Sequence, residues 1–342
     1  MKAPGGNGVQ MLAADVGARM ASGGPIDGGA MTGNGFHVVL GASGGTGNAV
    51  ARALAERGHR VRGISRAGDA ELPEGIERVA ADATRSDDLR RALDGADVVY
   101  HCAQPPYTDW AEDFPPMNRA IVDATAQAGA KLVFADNLYL YGPVRGPLTE
   151  DSPQEPTTRK GAVRKRLADD LLAAHREGRL RVTIGRSSDY IGPRAPDSAI
   201  GERVFEAALK GGRVPWLGRL DVPHAVAYTP DMGRALAILG ERDEADGAAW
   251  HLPCDEPVTG RRFVELLSRA LGRPLRPTAT SPAMVRIAGV FSPMIREIDD
   301  VIEQWTEPFI ADWSRFRQAF GPFEVTPLAD AVETTLDWYR ER

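Results

Sequence analysis

The stretch Gly41-Ala42-Ser43-Gly44-Gly45-Thr46-Gly47 decides the fold, because it joins the apolar run Phe36-His37-Val38-Val39-Leu40 to the helix-like segment Asn48–Glu56. That context predicts a strand, a tight turn and the opening of a helix. Three glycines at this spacing let the backbone turn sharply, let a pyrophosphate approach main-chain N–H groups, and let the helix pack close to the strand. A glycine-rich string alone is a weak signal. The strand before it and the helix after it are what mark a dinucleotide site.

Outward from this turn, short β-branched runs alternate with helical patterns, as βαβ units and a parallel sheet require. Strands are predicted at Phe36–Leu40, Arg60–Ser65, Ile76–Ala80, Asp97–Cys102, Lys131–Ala135 and Leu180–Gly185. Ser86–Leu93 opens with an N-cap serine and two aspartates that complement a helix dipole. After Gly192-Pro193 the alternation becomes irregular. Amphipathic helices are expected at Ala199–Lys210, Gly260–Leu271, Pro293–Gln304 and Pro327–Arg340. The predicted class is therefore α/β: a doubly wound parallel sheet over residues 35–190, with a smaller, mostly helical substrate lobe over 191–342, some of whose segments return to the sheet. Residues 1–34, rich in Gly, Ala and Met and with no continuous apolar core, read as a flexible extension, and Met31 offers a later translation start.

With a formal net charge of −6 over 342 residues, the chain lacks the basic excess that a nucleic-acid or anionic-membrane surface needs. No window approaches the roughly 20 apolar residues of a membrane span. Cys102 and Cys254 form no CxxC or Cys/His pattern, which argues against a disulfide framework or a metal site and fits the cytoplasm. The expected partner is a small molecule.

The spacing Gly41, Gly44, Gly47 is GxxGxxG, and with five further landmarks it resembles the extended short-chain dehydrogenase/reductases, the NAD-dependent epimerase/dehydratase family. Asp82, in Val79–Thr84, matches the aspartate that contacts adenine, and Ala83 follows it. His101-Cys102-Ala103 resembles the "hxA" turn beside the cofactor. Phe134–Gly142 is similar to the "SSxxVYG" segment, Leu148–Pro153 to "lTEdsP", and Arg186–Pro193 to the "RpsnvyGP" that lies against the nicotinamide. The resemblance spans residues 35 to 240 in order and implies a Rossmann fold. It also implies cofactor contacts from Gly41, Ser43, Gly44, Gly45, Thr46, Gly47, Asp82, Ala83, Cys102, Ala103, Ser187 and Ser188.

One departure outweighs these matches. Where the family carries its catalytic YxxxK, this chain has Lys160 and Arg164, and Asn137 replaces the catalytic Ser/Thr. A phenol whose pKa is lowered by a neighbouring ammonium, so that it can shuttle a proton, is absent there. Tyr139 stands where related dehydratases carry an acid. It either replaces the missing phenol, with Asn137 anchoring a substrate oxygen, or packs beneath the substrate lobe. Lys160 and Arg164 lie at i,i+4 and repel, which would depress the lysine pKa and leave an amine base. Alternatively, Arg159, Lys160, Arg164, Lys165 and Arg166 form a solvated basic face, or Lys160 or Arg164 holds a ribose or a substrate carboxylate. Gln104, Arg164 and His224 are candidate substrate contacts, although a lone histidine is more often structural. Asp136 either orients its neighbours or points away.

Cofactor choice rests on the end of the second predicted strand. There Gly63-Ile64-Ser65-Arg66 offers an arginine for a 2′-phosphate in place of an acid for ribose hydroxyls, favouring NADP, with NAD as the alternative and a plain surface role for Arg66 as the bland reading. The expected function is an NAD(P)-dependent oxidoreductase, epimerase or dehydratase acting on a small hydroxyl- or keto-bearing substrate. The alternatives are a non-enzymatic sensor of the NADP/NADPH ratio and an enzyme that uses its cofactor structurally. Family members often pair as homodimers through helices here near Asp113–Gln127 and Gly161–Ala174, and the stripe Val163, Leu167, Leu171, Leu172 would serve that interface or only the sheet.

Overall fold

The computed structural model describes residues 35–143 and 145–342; the predicted N-terminal extension lies outside them. Six strands follow the order of the sequence: β1 (Phe36–Leu40), β2 (Arg60–Ser65), β3 (Glu77–Ala80), β4 (Val98–His101), β5 (Lys131–Asn137) and β6 (Val182–Ser187). A seventh, Ala249–His251, extends the sheet at its β6 edge. All pair in parallel, in the order Ala249–His251, β6, β5, β4, β1, β2, β3. The chain runs from β1 out to β3, then returns to lay β4 against the other side of β1. Ligands of doubly wound sheets bind at such a reversal, at the carboxyl ends of the strands.

Burial on both faces explains why the central strands β1, β4 and β5 are mostly apolar, whereas the edge strand β3 is largely exposed. In β1, Val38 and Leu40 enter one core while Val39 enters the other. In β5, Leu132 and Phe134 face the first core and Val133 the second. Helices α1 (Gly45–Glu56), α2 (Ser86–Ala92), α3 (Trp110–Gln127) and α4 (Arg159–Arg176) come between the strands. Phe114, Ile121, Leu167 and Leu171 of α3 and α4 fill the first core. The second takes Val50 and Leu54 of α1 with Met232 and Leu236 of the helix Thr229–Glu241. These two helices nearly touch, since a Cβ on Gly233 would meet the Ala49 backbone at 2.5 Å. Of the predicted α4 stripe, Leu167 and Leu171 are fully buried on the sheet, and Val163 and Leu172 pack partly buried beside them.

A third core, built on Phe205, Trp216, Phe263, Trp305 and Leu336, belongs to the C-terminal elements. Two sequence expectations need correction here. The single helix expected over Pro293–Gln304 is a helix over Pro293–Asp299 followed by a 3₁₀ turn at Ile302–Trp305. The strand Ala249–His251 had no counterpart in the reading, because a three-residue run before Pro253 carries no periodicity. Among the described residues no helix is long and apolar enough to cross a membrane.

Candidate active site

The glycine turn has the geometry of a phosphate cradle. Gly41 adopts φ +84°, and its N–H and that of Ala42 both donate to the Ile64 carbonyl, at 3.0 and 2.9 Å, tying the turn to β2. A Cβ on Gly41 would lie 2.8 Å from the Ala103 amide, and one on Gly47 would lie 2.2 Å from the Gly41 carbonyl oxygen. Both positions exclude any side chain. Gly44 is open by contrast, its added Cβ meeting nothing closer than 3.6 Å. Helix α1 starts just beyond it with no side-chain cap and no acidic residue in its first turn. Its opening amides therefore suit an anion, and the residues present fit a dinucleotide pyrophosphate. Gly45 is backed by Arg194 and Ala195, and Ser43 is exposed.

Arg66 is exposed just past β2. Asp82 accepts from the Thr84 amide and hydroxyl at 2.9 and 2.7 Å. Those bonds foremost, with Arg66 and Arg85 adding to them, hold its carboxyl below the usual range. Ala83 packs partly buried against the first core.

Beyond the ends of β4, β5 and β6 lies a cavity of about 120 Å³ whose walls include Thr46, Cys102, Gln104, Asn137, Tyr139, Arg164, Ser187 and Ser188 from the predicted set. The Asn137 side-chain oxygen accepts from the Tyr139 amide at 3.1 Å, an Asx turn that directs the chain as it leaves β5. Tyr139 shares the cavity wall with Tyr107, Trp110, Asp189 and Tyr190, none of which the sequence reading singled out. Burial is the main force that raises the Tyr139 phenol well above its ordinary pKa, with Tyr107 and Asp189 adding to it. Tyr107 and Tyr190 are raised for the same first reason. At neutral pH these phenols are hydrogen-bond donors, not bases.

The basic cluster on α4 divides. Arg159 and Arg166 are exposed and Lys165 pairs with Asp169 across one helical turn, whereas Lys160 and Arg164 are 3% and 4% exposed. A uniformly solvated face is therefore excluded. Lys160 is not among the cavity-lining residues. Its Nζ lies 2.8 Å from Glu297 Oε2, donates to the Tyr107 carbonyl and sits 3.6 Å from the Tyr107 ring centroid. Its pKa is lowered, as expected, but by burial first; Glu297 opposes the shift, and Arg159 is the like charge that contributes.

Arg164 turns inward. It stacks 4.2 Å over Trp110, donates to Gln104 Oε1 at 3.1 Å and reaches Asp136 Oδ1 at 3.4 Å, while its Nε has no partner. Asp136 is shared, because Arg186 Nε reaches its other oxygen, also at 3.4 Å. Arg186 then donates to the Tyr141 hydroxyl at 2.8 Å. The His251 ring lies between that hydroxyl, 2.9 Å from Nε2, and the Asp312 carbonyl, 3.0 Å from Nδ1. A carbonyl only accepts, so Nδ1 carries the proton and Tyr141 donates to Nε2. Burial foremost, then the charge of Arg186, pushes His251 down to about 4, consistent with a neutral ring. One chain of polar contacts thus runs from the cavity to the last strand of the sheet.

His224 is placed one step behind the cavity. Its Nε2 lies 2.8 Å from Oδ2 of Asp189, which lines the wall. Asp189 occupies the "n" position of the Arg186–Pro193 segment, so the change of residue type was the available signal.

Residues 37–251 match the model of the NAD dependent epimerase/dehydratase family. A curated relative, a dTDP-glucose 4,6-dehydratase of Streptomyces griseus, is 24% identical over 264 residues, covering 74% of each chain. Similar solved structures include the UDP-glucuronic acid 4-epimerase of Bacillus cereus, in complex with UDP-glucuronic acid and NAD, at 19% identity and a TM-score of 0.73 over 90% of this chain and 99% of that one. The dTDP-glucose 4,6-dehydratase of Streptomyces venezuelae, with NAD bound, is 21% identical at a TM-score of 0.72, covering 90% and 97%. These likenesses carry the fold, and the family match carries the membership: this chain belongs to the NAD-dependent epimerase/dehydratase family and is an enzyme of the oxidoreductase, epimerase or dehydratase type.

Proposed function

We propose that the protein transfers hydride between a nicotinamide dinucleotide and a small hydroxyl- or keto-bearing substrate held in the cavity, with Tyr139 donating a proton or hydrogen bond to the substrate oxygen and Asn137 anchoring it. The observation that carries this reading is the convergence of Asn137, Tyr139, Arg164 and Ser188 on one cavity that Thr46 of the glycine turn also lines. A sensor of redox poise needs no polar groups beside the reactive ring, whereas an enzyme does. When bound, the dinucleotide supplies the hydride chemistry, and the protein supplies position and protons. Gly41, Gly44 and Gly47 would hold its pyrophosphate and Asp82 its adenine side. Arg66, exposed past β2 where an acid would select NAD, leads us to favour NADP. Two free cysteines fit a reducing compartment such as the cytoplasm.

The relatives act on, or were solved with, nucleotide sugars, so UDP-glucose, dTDP-glucose and UDP-glucuronic acid lead the substrate panel, followed by simple carbonyls and alcohols. Each is offered with NAD⁺, NADP⁺, NADH and NADPH to the parent and to Tyr139→Phe. Loss of turnover in Tyr139→Phe with cofactor binding intact is expected. Equal turnover removes Tyr139 from its role, and binding without turnover in both proteins favours the sensor or the structural-cofactor reading. Arg66→Asp is expected to lower the preference for the phosphorylated cofactor; an unchanged preference makes Arg66 a surface residue.

A further inference from the structure

Two carboxylates of the cavity wall, Asp189 and Asp197, have no lysine or arginine at ion-pair distance among the described residues. Lys160 is committed to Glu297 and the Tyr107 carbonyl. Arg164 is a permanent cation, and Asp136 is shared between Arg164 and Arg186. The phenols of Tyr107 and Tyr139 stay protonated. Of the two, Asp189 is the one that a histidine holds. Its Oδ2 is held by His224 Nε2 at 2.8 Å, and the Ser188 hydroxyl donates to its backbone carbonyl at 3.3 Å.

His224 is built as a mount for that carboxylate. The ring is 1% exposed and stacks on Trp305 with centroids 3.8 Å apart and planes 14° apart, with Phe309 also stacked at 5.0 Å. Nδ1 has no partner. A carboxylate oxygen accepts, so Nε2 points its N–H at Asp189. Stacking prevents the ring from turning, and the ring in turn fixes which way Asp189 faces. This is the base-and-orienter logic of catalytic dyads, with the carboxylate inward and the imidazole behind.

We infer that Asp189, positioned by His224, is the proton acceptor for the substrate hydroxyl, in the role that the absent phenol and ammonium would otherwise fill. The inference rests on the proposed function. In the oxidative direction the substrate O–H bond breaks and its proton passes to Asp189. The carbinol C–H hydrogen leaves with both bonding electrons to the oxidised nicotinamide dinucleotide, and the C–O bond becomes C=O. The reverse step returns the proton from Asp189 to the oxygen, to which Tyr139 donates a hydrogen bond without giving up its own proton.

The test uses Asp189→Asn, which is isosteric and keeps an oxygen to accept from His224. With NAD⁺ or NADP⁺ and the nucleotide sugars and alcohols named above, kcat is expected to fall about 10²- to 10⁴-fold while the cofactor Kd and Tm hold, and added formate should restore part of the activity of Asp189→Ala, whose truncated side chain leaves room for it. A merely structural residue gives no formate rescue. In ¹⁵N-histidine-labelled parent protein, His224 should keep Nε2 protonated whether or not substrate is present. Unchanged kcat in Asp189→Asn, loss of kcat in Asp189→Ala without formate rescue, or a His224 ring with Nε2 unprotonated overturns the inference and leaves the proposed function standing. A parent that turns over nothing on the panel overturns both.

Discussion

His101 gives the sharpest test of the electrostatics around the cavity. It lies on β4, fully buried, between Phe134 at 4.9 Å and Phe114 at 6.0 Å, and neither ring nitrogen has a hydrogen-bond partner. Burial first, then the nearby charge of Arg164, pushes its pKa from 6.5 down to about 3. A folded-state pKa below the unfolded one means that the contribution to stability is fully present above pH 6.5 and is lost as pH falls toward the folded value. Over that window the unfolded chain takes up a proton that the native ring refuses. Integrating the two titrations from pH 7.5 to 5.0 gives a loss of roughly 2 kcal/mol from this one residue. His101→Phe removes the titration while keeping a ring of similar size among aromatic neighbours. Whatever the substitution does to stability at pH 7.5, the parent should lose about 2 kcal/mol more than the variant on going to pH 5.0, because His37 and His251 titrate equally in both. Urea unfolding of the two proteins at both pH values measures this directly. Equal losses would refute the reasoning, since they would mean that the ring is hydrated or hydrogen-bonded.

Two further outcomes follow from contacts already described. Gly47→Ala should abolish dinucleotide binding and lower Tm, because its methyl would stand 2.2 Å from the Gly41 carbonyl oxygen; dinucleotide titration monitored by protein fluorescence checks it, and retained affinity means the turn is looser than described. Lys160→Met should cost about 1–2 kcal/mol by leaving the largely buried Glu297 with only the exposed Arg159 as partner, and adding Glu297→Gln should recover part of that loss; a double-mutant cycle in urea with no coupling would show that the pair is an incidental contact.

The alternation of strand and helix was legible because burial on both faces of a parallel sheet favours apolar runs, as in Val38–Leu40 and Leu132–Ala135. The cradle was legible for a similar reason, since Gly41 and Gly47 sit where no other residue fits. The cavity was less so. Tyr139, Asn137 and Arg164 were reached by their register against a pattern, but Tyr107 comes from the turn after β4 and Asp189 gains meaning only from His224, 35 residues later. Pairings of that kind are made by tertiary packing and leave no local period. The fate of Lys160 was also out of reach, because its partner Glu297 belongs to a helix far along the chain.

That partnership bears on any attempt to convert this protein to the ordinary chemistry of its relatives. Helix α4 is moored at its start, where Asp300 accepts from the Lys160 amide at 2.9 Å and Glu297 pairs with both Arg159 and Lys160. Lys160→Tyr would remove the one buried cation of that mooring, leaving Glu297 to Arg159 alone and facing a phenol. Arg164→Lys would remove one of the two guanidiniums that share Asp136 and vacate the stack on Trp110. The two positions have become parts of separate circuits, one that ties down a helix and one that runs through the sheet to His251. Restoring two letters of a motif would therefore damage both circuits before it rebuilt a catalytic pair, and a route back would have to pass through Glu297, Asp136 and Arg186 as well.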